Sequence, residues 1–338
     1  MSATLRWGIV GCGWVARDHA LPGLLAAGQQ VVALHDRAPA AMERMPVGAT
    51  HHDELSALLA TPGLDAVYVA TPNAAHRAVV EACAAAGVAV LCEKPLAADA
   101  LDAEAIVTAC ARAGVVLGTA YDQRWHPAHR ALRALVPALG TVTAVRIVYC
   151  CWLPPDWTPD GVPAPNWRAD PAVAGGGAAI DLAPHGLDLV GVLLDDDVVS
   201  LSARLQRRVH DYPVDDGALL SGVTAGGVLV DLHVAYNTPD ALPRRRLEVV
   251  GTEGLAVAVD TMGQTAGGSL VHHTLAGAPT NVPFSAESPF EAQFRAFAER
   301  ICAPGGTPTW TFVPERDLRL HRLLLQALEE GSAPDDHH

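Results

Sequence analysis

Lysine is almost missing from this chain. Of 23 basic residues in 338, all but Lys94 are arginine. The guanidinium of arginine stays protonated in proteins, whereas a lysine ammonium gives up its proton when its surroundings lower its pKa. Either Lys94 survived a composition bias towards arginine, or its position needs what arginine cannot do. Basic charge is scarce as well: 37 acids leave a net charge of −14. Bulk electrostatics therefore exclude binding to nucleic acid or to anionic membranes. No apolar run approaches the roughly 18 residues of a membrane span, so no membrane partner is expected. Met1–Arg6 leads almost directly into a strand pattern, so no secretory leader is expected. The seven cysteines are odd in number and scattered, without a Cys-x-x-Cys pair. They read as reduced thiols, which points to a cytoplasmic protein.

Apolar material is plentiful. The chain is 50% hydrophobic and 18% charged, a composition that builds large cores. Its length suits two domains. The first third alternates short apolar runs (Leu5–Val10, Val31–His35, Asp65–Ala70, Val88–Cys92, Val115–Thr119) with Ala-rich helical stretches (Val15–Ala27, Ala38–Met45, Glu54–Ala60, Ala74–Ala86, Ala100–Ala113). That alternation predicts βαβ units and a doubly wound parallel sheet. After about Tyr121 the pattern changes. A helical Ala128–Leu139 precedes a strand at Val142–Cys151, a long loop at Leu153–Pro171 and a helix at Ala178–Leu194. Strand-like runs separated by turn residues then extend to Leu275, as in an antiparallel meander. Helical patterns at Phe290–Ile301 and Glu315–Glu330 follow, and Ala333–His338 reads as a frayed tail. The expected division is 1–121, 122–332 and that tail, with the last helix free to pack back on the first domain.

Gly11-Cys12-Gly13-Trp14-Val15-Ala16 fits G-x-G-x-x-A at the junction of a strand and a helix. The first glycine permits the tight turn, the second lets the backbone approach a pyrophosphate, and Ala16 lets helix and strand pack closely. The helix N-terminus adds unpaired N–H groups and a positive dipole end. Asp36 ends the next strand, where a carboxylate accepts from the adenosine ribose hydroxyls. Such a carboxylate repels a 2′-phosphate and favours NAD. Arg37, its neighbour, would attract one, so NADP stays open.

Three further segments carry polar residues that helix–strand packing does not explain. Thr71-Pro72-Asn73 and His76 follow the strand Asp65–Ala70, and Glu93-Lys94-Pro95 follows Val88–Cys92. Both fall at the carboxyl edge of the sheet, where open α/β folds bind ligands. The third is Gly175-Gly176-Gly177, followed by Asp181 and His185. Those last two stand at i and i+4, so one helix face presents a carboxylate and an imidazole. Pro184 between them complicates a regular helix.

Together these motifs resemble the glucose–fructose oxidoreductase / inositol dehydrogenase / rhizopine-catabolism (Gfo/Idh/MocA) family. The resemblance rests on G-x-G-x-x-A, Ala-Thr-Pro-Asn-x-x-His, Glu-Lys-Pro, Trp167-Arg168, and Gly-Gly-Gly before Asp-x-x-x-His, and it covers essentially the whole chain. It implies a Rossmann domain followed by an α+β domain whose open, mostly antiparallel sheet binds substrate and joins subunits into a homodimer or homotetramer. It also implies hydride transfer between NAD or NADP and a sugar, cyclitol or related polyol. On that resemblance Lys94, Asp181 and His185 form the catalytic group. His185 would be general base in oxidation and acid in reduction. Lys94 would hydrogen-bond the reacting oxygen and share in a proton relay. Asp181 would orient the substrate or tune the basic groups. The cofactor would be held by the glycine motif, Asp36, Arg37, Thr71, Pro72, Asn73, His76, Glu93, Lys94 and Gln123. Arg124, Trp167 and Tyr236 would join the catalytic group on the substrate. Trp152 and Trp157 are candidates to stack on a sugar ring, and His233 is a weaker candidate.

Other readings remain. The chain could be a biosynthetic ketosugar reductase, a redox-neutral NAD-dependent glycoside-processing enzyme, or a non-catalytic NAD(P)-binding sensor. Metal is not expected: His51-His52 and His272-His273 would point to opposite strand faces, and no cysteine or carboxylate cluster accompanies them. Arg244-Arg245-Arg246 reads as a solvated face or as salt bridges between subunits.

Overall fold

The structure, a computed structural model, describes residues 4–159, 166–303 and 309–331. The tail at Ala333–His338 and the middle of the Leu153–Pro171 loop lie outside them. The chain divides into two compact units, built from the described residues of Met1–Asp122 with Ser288–Arg319, and of Gln123–Glu287 with Leu320–His338.

The first unit is a parallel sheet flanked by helices. Its strands are β1 (Arg6–Val10), β2 (Gln30–His35), β3 (Thr50–His52), β4 (Ala66–Val69), β5 (Ala89–Glu93) and β6 (Leu117–Ala120), in spatial order β3-β2-β1-β4-β5-β6. This is the doubly wound arrangement, with strand order reversing beside β1, where such folds place a nucleotide. The helices α1 (Leu21–Ala26), α2 (Pro39–Glu43), α3 (Leu55–Leu59), α4 (His76–Ala85) and α5 (Ala100–Ala113) connect the strands. Strand β3 escapes the sequence reading because it is three mostly exposed residues at the sheet edge. α9 (Pro289–Cys302), far along the chain, packs on α1 and the sheet. Its Phe294 meets Trp7 edge-on at 5.4 Å and Tyr68 at 5.3 Å. Burying such rings contributes about 2–3 kcal/mol each.

The second unit holds α6 (Pro127–Leu135), α7 (Pro171–Ala174) and α8 (Ala178–Leu194) against an eight-stranded sheet. Its strands are β7 (Val142–Cys150), β8 (Val198–Gln206), β9 (Gly217–Thr224), β10 (Leu229–Ala235), β11 (Arg245–Gly251), β12 (Gly254–Val259), β13 (Ser269–Thr274) and β14 (Thr280–Asn281). They lie in the order β14-β13-β12-β11-β7-β10-β9-β8. All neighbours are antiparallel except β7 and β10, which run parallel. The simple meander therefore needs one correction: β7 inserts between β10 and β11. Val145, Ile147 and Tyr149 of β7 face the same core as Val230, Leu232, Leu247 and Val249, under α8. α10 (Pro314–Gly331) closes the described chain.

The stretch Pro171–Leu194 is long and apolar enough to pass for a membrane span, contrary to the sequence expectation, but 89% of its most apolar window is buried. It is hydrophobic because it packs inside the unit. Among the described residues all seven cysteines are free thiols, and no three His, Cys, Asp or Glu side chains gather as a metal site would require.

Candidate active site

The glycine loop leaves the end of β1. Gly11 adopts φ +90°, and a Cβ there would stand 2.5 Å from the Ala70 carbonyl. Any side chain would thus be strained and would strike the loop after β4. Gly13 differs: a Cβ would meet nothing within 4 Å. No packing within the chain requires glycine here, whereas the close approach of a phosphate to the backbone does. The helix opens at Trp14 and Val15, both half-buried, and continues through a π turn at Ala16–Ala20. Ala16 is fully buried against the sheet, as the motif requires.

Asp36 is half-buried at the end of β2. One carboxylate oxygen accepts from the Cys12 N–H at 2.7 Å and the other from the Ala38 N–H at 2.8 Å. Asp36 thus braces the glycine loop, with acceptor capacity left over for ribose hydroxyls. Burial, reinforced by the Asp36 charge, pushes the Cys12 thiol up to about 12 and keeps it inert. Arg37 is exposed. These residues fit a dinucleotide: open backbone at Gly13, helix amides at 14–15 and an acid at 36.

The loops after β4 and β5 are tied together. His76 is completely buried, with one ring nitrogen 3.0 Å from the Thr71 carbonyl and the other 3.2 Å from that of Leu96. Burial holds it below the ordinary histidine value, against the pull of those carbonyls. It clamps the Thr71-Pro72-Asn73 loop to the turn that carries Lys94. Thr71 and Pro72 are half-buried and Asn73 is buried. Glu93 accepts a short hydrogen bond from the Tyr68 hydroxyl at 2.5 Å and one from the Lys94 amide at 3.3 Å. Its carboxylate is spent on fixing the Lys94 backbone. Burial and then the Glu93 charge drive the Tyr68 phenol well above its normal range, so Tyr68 is a permanent donor. Nothing in the sequence singled out Tyr68; a tyrosine in a buried strand looks like ordinary core.

In the second unit the Gly-Gly-Gly motif and helix α8 are organised by Asp215. Its carboxylate accepts from the N–H groups of Gly177 at 2.9 Å and Ala179 at 2.8 Å, capping the helix. A Cβ on Gly177 would lie 2.0 Å from the Asp215 carbonyl oxygen, so only glycine fits that close approach. Burial raises Asp215, against the opposing amides. The next residue, Asp216, accepts from the amides of Arg208, Val209 and His210. Burial pushes it up as well, but those bonds and the Asn237 amide prevail and hold it below the carboxylate range. The turn expected from Asp215-Asp216-Gly217 is thus also the cap of α8.

Asp181 and His185 share a face of α8, and Pro184 lies inside the helix without ending it. The Tyr236 hydroxyl donates to Asp181 at 2.6 Å, and the Arg168 Nε is 3.8 Å from the same oxygen. Arg168 in turn stacks over Trp167 at 4.4 Å and approaches Trp157 at 5.8 Å. Burial and then the Asp181 charge raise the Tyr236 phenol well above normal. Tyr236 therefore stays protonated and keeps donating to the carboxylate. His185 is buried, edge-on to the Tyr149 ring at 5.8 Å.

Other candidates are committed elsewhere. Gln123 is buried, and its amide donates to the Gly263 carbonyl at 3.0 Å. The Arg124 guanidinium makes two 2.8 Å bonds to Asp188, with side chains 1% and 0% exposed. Asp188 lies three residues after His185, so this ion pair anchors α8. Trp152 bridges to Asn237 and stacks edge-on against His210 at 4.7 Å. His233 points to the sheet face away from α8, with Arg146 and Glu248.

Comparison with known proteins follows this geometry. Residues 5–121 match the family described as "Oxidoreductase family, NAD-binding Rossmann fold", and residues 129–257 match the Gfo/Idh/MocA C-terminal domain. The chain is 32% identical over 309 residues to a 1,5-anhydro-D-fructose reductase of Ensifer adhaerens, covering 88% of each. It is 31% identical to an inositol 2-dehydrogenase of Acidiphilium cryptum, covering 77% of this chain and 75% of the relative. Among solved structures, aldose–aldose oxidoreductase from Caulobacter crescentus, complexed with glycerol, superimposes with a TM-score of 0.84 at 25% identity, over 97% of this chain and 98% of its own. The chain is an oxidoreductase of the Gfo/Idh/MocA family.

Proposed function

We propose that the protein moves a hydride between a nicotinamide dinucleotide, NAD in preference to NADP, and a carbinol or ketone carbon of a sugar, cyclitol or related polyol. The observation that carries this reading is the pairing on α8. Asp181 and His185 share a face, and a permanently protonated tyrosine holds the carboxylate. A solvated helix acid and a core histidine would not need that arrangement. Relatives named as sugar and inositol oxidoreductases support the substrate class. The carboxylate at Asp36 favours NAD, since it would repel a 2′-phosphate.

When bound, the dinucleotide supplies the hydride acceptor or donor. The chain's own task is the proton. His185 takes the alcohol proton in oxidation and returns it in reduction. Lys94, its backbone fixed through Glu93 and Tyr68, hydrogen-bonds the reacting oxygen and stabilises its developing negative charge. Asp181 orients the substrate hydroxyls. Ketone reduction as the working direction is a second reading, favoured by the relative named a reductase. We also assign the exposed face of the eight-stranded sheet to a homodimer or homotetramer, and, of the expected domain 122–332, the part outside Ser288–Arg319, which packs with the first unit, to substrate binding and assembly.

The test is absorbance at the reduced-nicotinamide band, with NAD and NADP, across aldoses, inositols and their keto derivatives. Turnover of at least one is expected. Lys94→Ala should lower kcat roughly 10²- to 10⁴-fold while cofactor affinity, read by fluorescence, holds. Near-normal turnover in that variant, or silence across the panel in both directions, overturns the reading.

A further inference from the structure

The three consecutive arginines at the start of β11, Arg244 just before it and Arg245 and Arg246 within it, do not behave alike. Strand alternation sends Arg244 and Arg246 one way and Arg245 the other. Arg244 pairs with Asp240. Arg246 lies 2.6 Å from Glu248. Arg245 stands opposite Tyr149 in the ladder, on the face where Leu247 and Val249 pack beneath α8. It is half-buried, and its Nε is buried with no hydrogen-bond partner. Among the described residues no carboxylate forms an ion pair with it. Its guanidinium stacks 5.7 Å above the Tyr149 ring, which also meets His185 edge-on. The backbone makes room for it: a Cβ on Gly263 would lie 2.5 Å from its Nη1.

Arg245 and Arg168 act on the same Cys151 thiol as the carboxylate of Asp181. Asp181 is already shared between Arg168 and Tyr236. A half-buried, uncompensated guanidinium is expensive to maintain, and an anion that arrives with a ligand offsets it.

We propose that Arg245 is a specificity-determining residue that receives an oxyanion, the carboxylate or phosphate of an acidic sugar derivative. The proposal rests on the sugar-type reading above and narrows it. The guanidinium and the His185 imidazole both contact the Tyr149 ring, at 5.7 and 5.8 Å from its centre. A carbon being oxidised beside His185 can therefore belong to a molecule whose acidic group reaches Arg245. The planar fork suits carboxylate and phosphate alike.

The experiment titrates NAD-loaded protein with glucose, glucuronate and glucose 6-phosphate by calorimetry, with turnover measured in parallel. Wild type should bind at least one anion more tightly than glucose. Arg245→Met should reduce that preference roughly 10- to 100-fold, and the anion it affects more identifies carboxylate or phosphate. Arg246→Met, on the opposite face, should leave the preference unchanged. Gly263→Ala displaces the guanidinium without replacing it and should weaken the same anion, so a folding failure of Arg245→Met leaves a second route. Equal binding of all three sugars by wild type overturns the proposal, and so does equal weakening of all three by Arg245→Met. The two readings fail separately. Arg245-dependent anion binding without any nicotinamide-linked turnover refutes the redox function alone. Turnover confined to neutral sugars refutes the role of Arg245 alone.

Discussion

Asp181 is gripped from two sides, by a hydroxyl at 2.6 Å and a guanidinium at 3.8 Å. The hydroxyl bond is the stronger, because a short hydrogen bond to a carboxylate is charge-assisted. Tyr236→Phe removes only that oxygen. We expect kcat/KM to fall by about 10-fold or more, with the pH–rate profile displaced because the carboxylate loses its fixed donor. Thermal stability should change little, since the ring stays in the core. An unchanged profile with an intact fold would show that Tyr236 is packing alone. Both residues were candidates from sequence, but their contact was not. Tyr236 and Asp181 are 55 positions apart, and only the placement of α8 over β10 brings them into contact. Lys94 is the reverse case: its solitude and its Glu-Lys-Pro setting are visible in the sequence, whereas the Tyr68–Glu93 bond that holds its backbone is not.

At the scale of the element, α8 is fixed at its start and near its middle. Asp215 caps its start, and the Arg124–Asp188 pair locks it one turn beyond His185. Replacing Asp188 with alanine leaves a guanidinium buried without its counter-charge, and should cost about 3–5 kcal/mol. The double replacement Arg124→Leu with Asp188→Leu should recover much of that loss, because a buried ion pair contributes little beyond an apolar one of similar volume. Urea midpoints of the two singles and the double check it. The bounds of α8 were legible to the residue. Strand β3 and the parallel seating of β7 beside β10 were not. The first is too short to carry a periodic signal, and the second is a pairing between segments nearly 90 residues apart.

At the scale of the whole molecule, two predictions follow. His126 and His129 are buried side by side. His126 donates to the Thr265 carbonyl and accepts from the Ala128 N–H, and His129 bridges the Gln123 carbonyl and Thr261. Each ring is satisfied when neutral. Burial lowers His126 to about 4, and burial with the His126 charge lowers His129 to about 3. Unfolded, both would titrate near 6.5. The unfolded chain thus binds more protons than the native one below about pH 6.5, so stability falls as pH falls from there towards 4. The slope should approach 1.4 kcal/mol per pH unit for each histidine. Urea midpoints between pH 7.5 and 5 measure it, and the pair His126→Asn with His129→Asn should flatten it. The second prediction concerns assembly. Leu219 is 55% exposed, on the sheet face away from α8. If that face joins subunits, Leu219→Arg should shift the sedimentation coefficient towards the monomer; an unchanged value would place the interface elsewhere.

Composition, strand–helix alternation and the spacing of short motifs determined the fold class, the dinucleotide loop and the candidate residues for the chemistry. These are local signals, written within one turn or one strand–helix junction, where chain geometry leaves few choices. Only the tertiary structure decided which polar residues are free for chemistry and which are structural. It committed Gln123 and Arg124 to internal bonds and made His76 a clamp. It also turned one arginine of three towards His185. Those outcomes depend on what lies across the sheet or beneath the helix, and sequence spacing does not encode a neighbour that arrives from a distant part of the chain.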